Sequence, residues 1–224
     1  MNKLQLVQRL RQEAGISGTG PTTTVGQVGE LGRLVAWIEA AYEDIQDKRK
    51  NWDFLRLDFT FNTAAGNSTY PQSTVVEAPL ANWKADSFRI YLTAAGVNDE
   101  RWIRPVSWSR FRDSRLRGAS RNQLGRPIEF SIDPRKNVVF WPKPNDVYTI
   151  NGEFFRKAET MDTDIDVPVF DRYPMAIVFN ALMRYAAYNS EPALYATAQK
   201  EYGRLIGKIE TDWTPQIRSG GAMA

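Results

Sequence analysis

The chain contains no cysteine and no histidine in 224 residues. Without thiols there can be no disulfide, no thiolate nucleophile and no cysteine metal ligand. Without imidazole, the usual general base at neutral pH and the commonest transition-metal ligand are also missing. An enzyme built from this composition would be confined to carboxylate, lysine or tyrosine chemistry with an oxygen-ligated metal. A binding or structural role therefore leads, and no catalytic, cofactor or metal residue is assigned. No apolar run approaches the roughly 18 residues needed to span a bilayer. The opening MNKLQLVQRLRQEA reads as a charged helix, not a cleavable signal. A soluble protein made in a cytoplasm, with no membrane partner, is expected. At 42% hydrophobic residues the chain can bury one large core or two small ones.

Acidic residues are absent, apart from Asp113, where arginine is densest. Between Arg101 and Arg126 stand eight arginines, so that segment carries +7 and the remainder of a chain of net charge +3 carries −4. Trp102, Trp108 and Phe111 interleave with them as stacking partners would. Arg110, Arg112, Arg115 and Arg117 are the candidate basic contact surface, for phosphates or for an acidic protein face. The plainer alternative is an arginine-lined loop, solvated or paired with carboxylates across a subunit boundary.

Helical periodicity occupies both ends of the chain. Leu4, Val7, Leu10 and Ala14 make a short stripe closed by Gly15. Val28, Leu31, Val35, Ile38, Tyr42 and Ile45 make a longer one, with Thr24 and Gln27 placed as a capping box. Gly26, Gly29 and Gly32 recur near its start, where they would admit another backbone or mark a frayed first turn. Gly29 and Gly32 are candidate subunit or interhelix contacts. Gly15 and Gly20 have phosphate-loop spacing, but Pro21 stands where that loop needs lysine, and no strand precedes it. Pro174 starts a third helix, Ser190 is placed to cap a fourth, and Leu194, Ala198, Tyr202, Leu205 and Ile209 form its stripe.

Strand periodicity occupies the middle. Leu55, Leu57, Phe59 and Phe61 alternate with polar residues; NTAAGNSTYP follows as a hairpin-like loop, and β-prone pieces surround Val75, Val76 and SFRIYL. VSWSRFRDSRLRG reads as a short helix ending at Gly118. Beyond it, Ile128 to Ile132 and Tyr148 to Phe154 alternate as half-exposed strands around VVFW, which is apolar on both faces. A three-stranded meander is expected, with a β-turn over Lys143 to Asp146. Either Val138 with Phe140 or Val139 with Trp141 then requires an apolar cover, from a helix of the same chain or from another copy. Phe140 and Trp141 join the candidate contacts.

Asp162, Asp164 and Asp166 match the first positions of a calcium loop, but Val167 and Tyr173 fill positions that need glycine and glutamate. A carboxylate pair for glycoside hydrolysis is the other chemical reading, and a solvated linker the plain one. The last residues, TDWTPQIRSGGAMA, lose periodicity and read as an exposed tail with Trp213 and Ile217 as anchors. The expected fold is thus α+β: residues 1–50 and 161–210 supply N-terminal and C-terminal helices of one bundle, 51–160 an inserted antiparallel β-rich region, and 211–224 an extended tail.

The order of GPTTTVGQVGELGRLVAWIEAAYEDIQ, NWDFL, GRPIEFSIDPRKNVVFWPKPNDVYTINGEFFRKAE and DTDIDVPVFDRYPMAIVFNALMRYAAY resembles the tailed-phage head-to-tail adaptor, or head-completion, family. The most specific portion runs from Gly125 to Tyr188. The resemblance implies a structural virion protein of the neck, assembled as a ring of about twelve copies under the portal. Such a ring extends the DNA channel and offers a docking surface to the tail or nozzle protein. It also implies portal binding by the C-terminal segment, here Trp213, Ile217 and Arg218. A DNA-binding module using residues 101–126, or non-specific contact with passing DNA, is the alternative use of the arginines.

Overall fold

The structure, a computed structural model, describes residues 1–214 and is mixed α+β. Among the described residues the α-helices are α1 (Lys3–Glu13), α2 (Gly29–Asp47), α3 (Gln72–Val75), α4 (Trp108–Arg115), α5 (Met175–Tyr188) and α6 (Pro192–Asp212). The strands are β1 (Arg56–Asn62), β2 (Thr69–Tyr70), β3 (Leu80–Leu92), β4 (Arg101–Trp102), β5 (Arg104–Pro105), β6 (Leu124–Gly125), β7 (Glu129–Ile132), β8 (Val138–Trp141), β9 (Lys143–Pro144) and β10 (Tyr148–Arg156). Residues Leu55–Lys157 form one compact unit, and the described chain on either side of them, from Met1 to Phe54 and from Ala158 to Thr214, forms the other.

In the helical unit the apolar faces follow the periodicity along the helix bodies but not at the start of α2, where Val28 of the expected stripe precedes the helix and is 83% exposed. α1 buries Leu6, Val7 and Leu10, with Leu4 and Ala14 half-exposed; α2 buries Leu34, Val35, Ile38, Ala41, Tyr42 and Ile45. α5 packs against α6, α2 and α1. It therefore buries residues almost all round, from Ala176, Ile177 and Val178 to Leu182, Tyr185 and Ala186. Trp52 is fully buried, donating from Nε1 to the Ile45 carbonyl at 3.1 Å and stacking on Phe54.

The helix ends differ from expectation. The capping box belongs to α1, where Asn2 and Gln5 exchange amide-to-side-chain bonds of 2.9 and 3.0 Å. Thr24 and Gln27 form none, because Gly26 takes φ of 69° ahead of α2 and Gly29, its first residue, takes φ of 63°, so the chain turns after Thr24. Gly32 faces its own loop: a Cβ there would lie 2.7 Å from the Gln27 carbonyl oxygen, whereas one on Gly29 would meet nothing within 4 Å among the described residues. Ser190 does not cap α6; it takes φ of 59°, Glu191 is the N-cap, and Pro192 opens the helix. α6 also continues through Thr211 and Asp212 into the expected tail, and the Trp213 carbonyl accepts the Asp53 amide at 3.1 Å.

In the β-rich unit two four-stranded sheets, ordered β1-β10-β3-β4 and β2-β8-β7-β5, share one core, and a short parallel pair β6-β9 stands beside them. Pairing is antiparallel apart from β5 with β7 and β6 with β9. Phe59, Phe88 and Ile150 come from the first sheet and Phe130, Val138 and Phe140 from the second. Phe88 stacks on Phe130 with ring centroids 4.2 Å apart. Three sequence expectations are corrected. NTAAGNSTYP is no hairpin, since β1 and β2 lie in different sheets. Val75 ends the short helix α3 instead of a strand. The meander stops at two strands, because β8 pairs with β7 and β2 while β10 pairs with β1 and β3. Pro142 and Pro144 explain the break: neither has an N–H to continue a ladder, so the segment after β8 carries the chain from one sheet to the other.

Candidate functional site

The arginine-bearing segment closes the second face of β8. Val138 and Phe140 point into the shared core, which leaves Val139 and Trp141 on the opposite face with Glu129 and Ser131 of β7. That face is not solvated: Glu129 is 3% exposed, and Ser131 and Val139 are also buried. α4 lies over it, rooted by buried Phe111, on which Trp108 stacks, and it ends before Gly118, whose φ is 60°. Arg115 donates from Nε to Glu129 Oε2 at 2.7 Å, Arg104 binds the other oxygen, and the Arg115 guanidinium lies 4.0 Å from the Trp141 ring centroid. Trp141 Nε1 donates to the Ser120 carbonyl at 2.9 Å. The expected cover is thus a helix of the same chain, joined to the strand by a buried carboxylate.

This arrangement sorts the arginines. Arg104 and Arg115 are held by Glu129. Arg126 is held by Asp99, at 2.8 and 2.7 Å, and by the carbonyls of Ile90 and Asp99. The hydrogen bond from Arg126, with one from the Leu92 amide, holds the Asp99 carboxyl below its ordinary range. Arg112 and Arg117 share surface Asp113, and Arg110 and Arg121 have no ion pair among the described residues. Of the four arginines singled out in the sequence, Arg115 is engaged internally, while Arg110, Arg112 and Arg117 are exposed. Sequence reasoning missed Glu129 and Asp99. The signal for Glu129 was indirect: one acid on an alternating strand next to a segment with too many arginines.

The other singled-out residues are dispersed. Phe140 is 1% exposed and packs in the core of the β-rich unit, while Trp141 is half-buried under Arg115. Trp213 is half-buried, its ring edge against Phe54 at 5.7 Å. Ile217 and Arg218 lie outside the described residues.

The acidic stretch is a structured strap, in contrast to a solvated linker. Asp164 accepts the Thr24 amide at 2.6 Å and the Thr24 hydroxyl, and its carbonyl accepts the Leu4 amide. Asp166 accepts the amides of Asp162 and Thr163 at 2.7 and 2.8 Å. Among the described residues no group of acidic side chains is arranged to hold a metal ion. Hydrogen bonds from the Thr23 and Thr24 side chains and the Thr24 amide lower the Asp164 pKa. A depressed folded-state pKa stabilises the fold fully above the unfolded carboxyl pKa and is lost as pH falls through the folded value. The melting-temperature gap between the wild type and Asp164→Asn is therefore expected to be widest at neutral pH and to close below about pH 4. A gap that stays constant into acid would show that these bonds do not depend on ionisation.

Among the described residues no helix is long and apolar enough to cross a membrane. Comparison with curated proteins finds no match. A family model described as SU10 adaptor protein matches residues 1–222. With nearly the whole chain matched, the protein belongs to the SU10 adaptor protein family, a family of phage head-to-tail adaptors of the virion neck.

Proposed function

We propose that this structural adaptor assembles as a ring of about twelve copies beneath the portal, extends the DNA channel and offers the docking surface for the tail or nozzle. The observation that carries the reading is the family match across residues 1–222. In this reading the helices from the two chain ends form one bundle, and the β-rich unit, with α4 fixed on it, supplies a rigid lateral surface. Gly29, Gly32 and Trp141 are contacts between copies or helices. Trp213 sets the starting point of a portal-binding segment that includes Ile217 and Arg218. No residue is asked to do chemistry.

Electron microscopy of the purified protein mixed with its portal tests this. A cyclic density stacked coaxially on the portal is expected; a folded protein that leaves the portal bare would overturn the ring. Because Trp213 packs against Phe54, the informative truncation removes residues 215–224 only. It is expected to leave melting unchanged and to weaken portal attachment. Unchanged attachment would take Ile217 and Arg218 out of the binding segment.

The alternative reading, a DNA-binding module, is favoured by one observation: Arg110, Arg112, Arg117 and Arg121 are exposed on or just beyond α4. It requires the isolated chain to bind duplex DNA with an affinity that falls steeply with salt, as released counterions dictate.

A further inference from the structure

Among the described residues two surfaces of opposite charge carry exposed aliphatic side chains. On the helical unit, Val25, Val28, Ile165 and Val167 are between 55% and 83% exposed. They sit on two loops that the Thr24 to Asp164 bonds join, so Val25 and Ile165 each follow a residue of the same hydrogen-bonded pair. The loop bearing Ile165 and Val167 belongs to a stretch, residues 159–171, with five acidic residues and neither lysine nor arginine. Four aliphatic side chains held in water on two strapped loops, one of them acid-rich, are a poor surface for a lone subunit and a good one for a partner that is basic with an apolar centre.

The β-rich unit has such a surface. From Trp108 to Leu124 there are five arginines against Asp113 alone. Glu129 fixes Arg115 beneath the helix, which leaves Arg110, Arg112, Arg117 and Arg121 outward, and Leu124, three residues beyond Arg121, is 61% exposed. The segment is held in place through the Trp141 to Ser120 bond and a bond from Lys143 to Asn122.

We infer that the acidic, aliphatic loop pair of one copy docks on the arginine-bearing α4 surface of the next. The two surfaces are different patches of one chain with opposite charge, which is what a head-to-tail contact requires and a twofold contact does not. The occupant of the loop pair is therefore a second copy of this chain. The inference rests on the ring reading above and specifies its interface.

The absence of native cysteine makes the test direct. Ile165→Cys and Leu124→Cys, both at exposed positions, are introduced singly and together, and portal-bound protein is treated with a bis-maleimide. The double variant is expected to yield a ladder of covalent multimers, each single variant alone only monomers, and a mixture of the two single variants dimers and nothing larger. Arg117→Glu with Arg121→Glu in the double-cysteine chain is expected to reduce the ladder about tenfold, with partial recovery when Asp162→Lys is added. Rings on the portal with no link between positions 165 and 124 would overturn the interface while leaving the ring intact. Self-linking of the Ile165→Cys chain would replace it with a twofold contact. A ladder unchanged by the charge reversals, with loss of duplex DNA binding instead, would assign the arginines to nucleic acid. A bare portal would remove the ring reading and this interface with it.

Discussion

Replacing Phe88 with alanine is expected to lower the stability of the β-rich unit by about 4 kcal/mol. Phe88 is fully buried, stacked at 4.2 Å on Phe130 of the facing sheet and 5.0 Å from the Phe59 ring in an edge contact. The substitution removes the transfer energy of a whole ring and leaves a cavity walled by other aromatic side chains, which cannot collapse into it without leaving their rotamers. Urea unfolding should show this as an earlier transition in tryptophan fluorescence, since Trp83 lies 5.8 Å from Phe88. The slope of the transition should be unchanged. Phe88→Leu should cost less than half as much, because most of the buried area survives. A loss below about 1 kcal/mol for the alanine variant would mean that the sheets do not depend on this contact.

The second large effect is expected at Arg115. Alanine there leaves Glu129, buried to 3% exposure, with Arg104 as its remaining cationic partner, and strips the guanidinium from the Trp141 face. Leaving a buried charge short of a partner is costly, and about 3 kcal/mol is expected. The neighbouring Arg117→Ala breaks only an exposed pair with Asp113 and should change stability by less than about 0.5 kcal/mol. Hydrogen exchange adds a local readout: amides of α4 should lose protection in the Arg115 variant before those of β3 do. Equal, small effects at both arginines would mean that Glu129 does not hold the helix.

Much of this architecture was legible because burial imposes periodicity. Leu57, Phe59 and Phe61 on β1, the 3.6-residue spacing along α2 and α6, and the nearly all-apolar α5 each report which face is covered. The short arginine-bearing helix was legible from local chemistry alone, although it ends at Arg115, before the expected Gly118. What failed were readings that depend on a distant partner. Thr24 has the residue type of a helix cap, yet its hydroxyl is taken by Asp164, 140 positions away in sequence. Ser190 failed for a local reason: it takes φ of 59°, and Pro192 opens α6 with Glu191 as its N-cap.

Composition excluded thiol and imidazole chemistry outright, since those reactions need atoms the chain does not contain. Its segments resemble those of phage adaptors, and the family match across residues 1–222 shows that family. The sequence could also state that VVFW needs cover on both faces, because neighbouring strands alternate and this one does not. It could not say from where, since pairing partners far apart in the chain leave no periodic trace. Only the tertiary structure decided that the cover is the arginine-bearing segment itself, held by one buried carboxylate that the strand pattern had assigned to solvent. That contact and the one between Arg126 and Asp99 divide arginines that composition counts as equal into those held inside the unit and those left exposed. That division depends on where Glu129 and Asp99 lie in space, which charge and spacing along the chain do not encode.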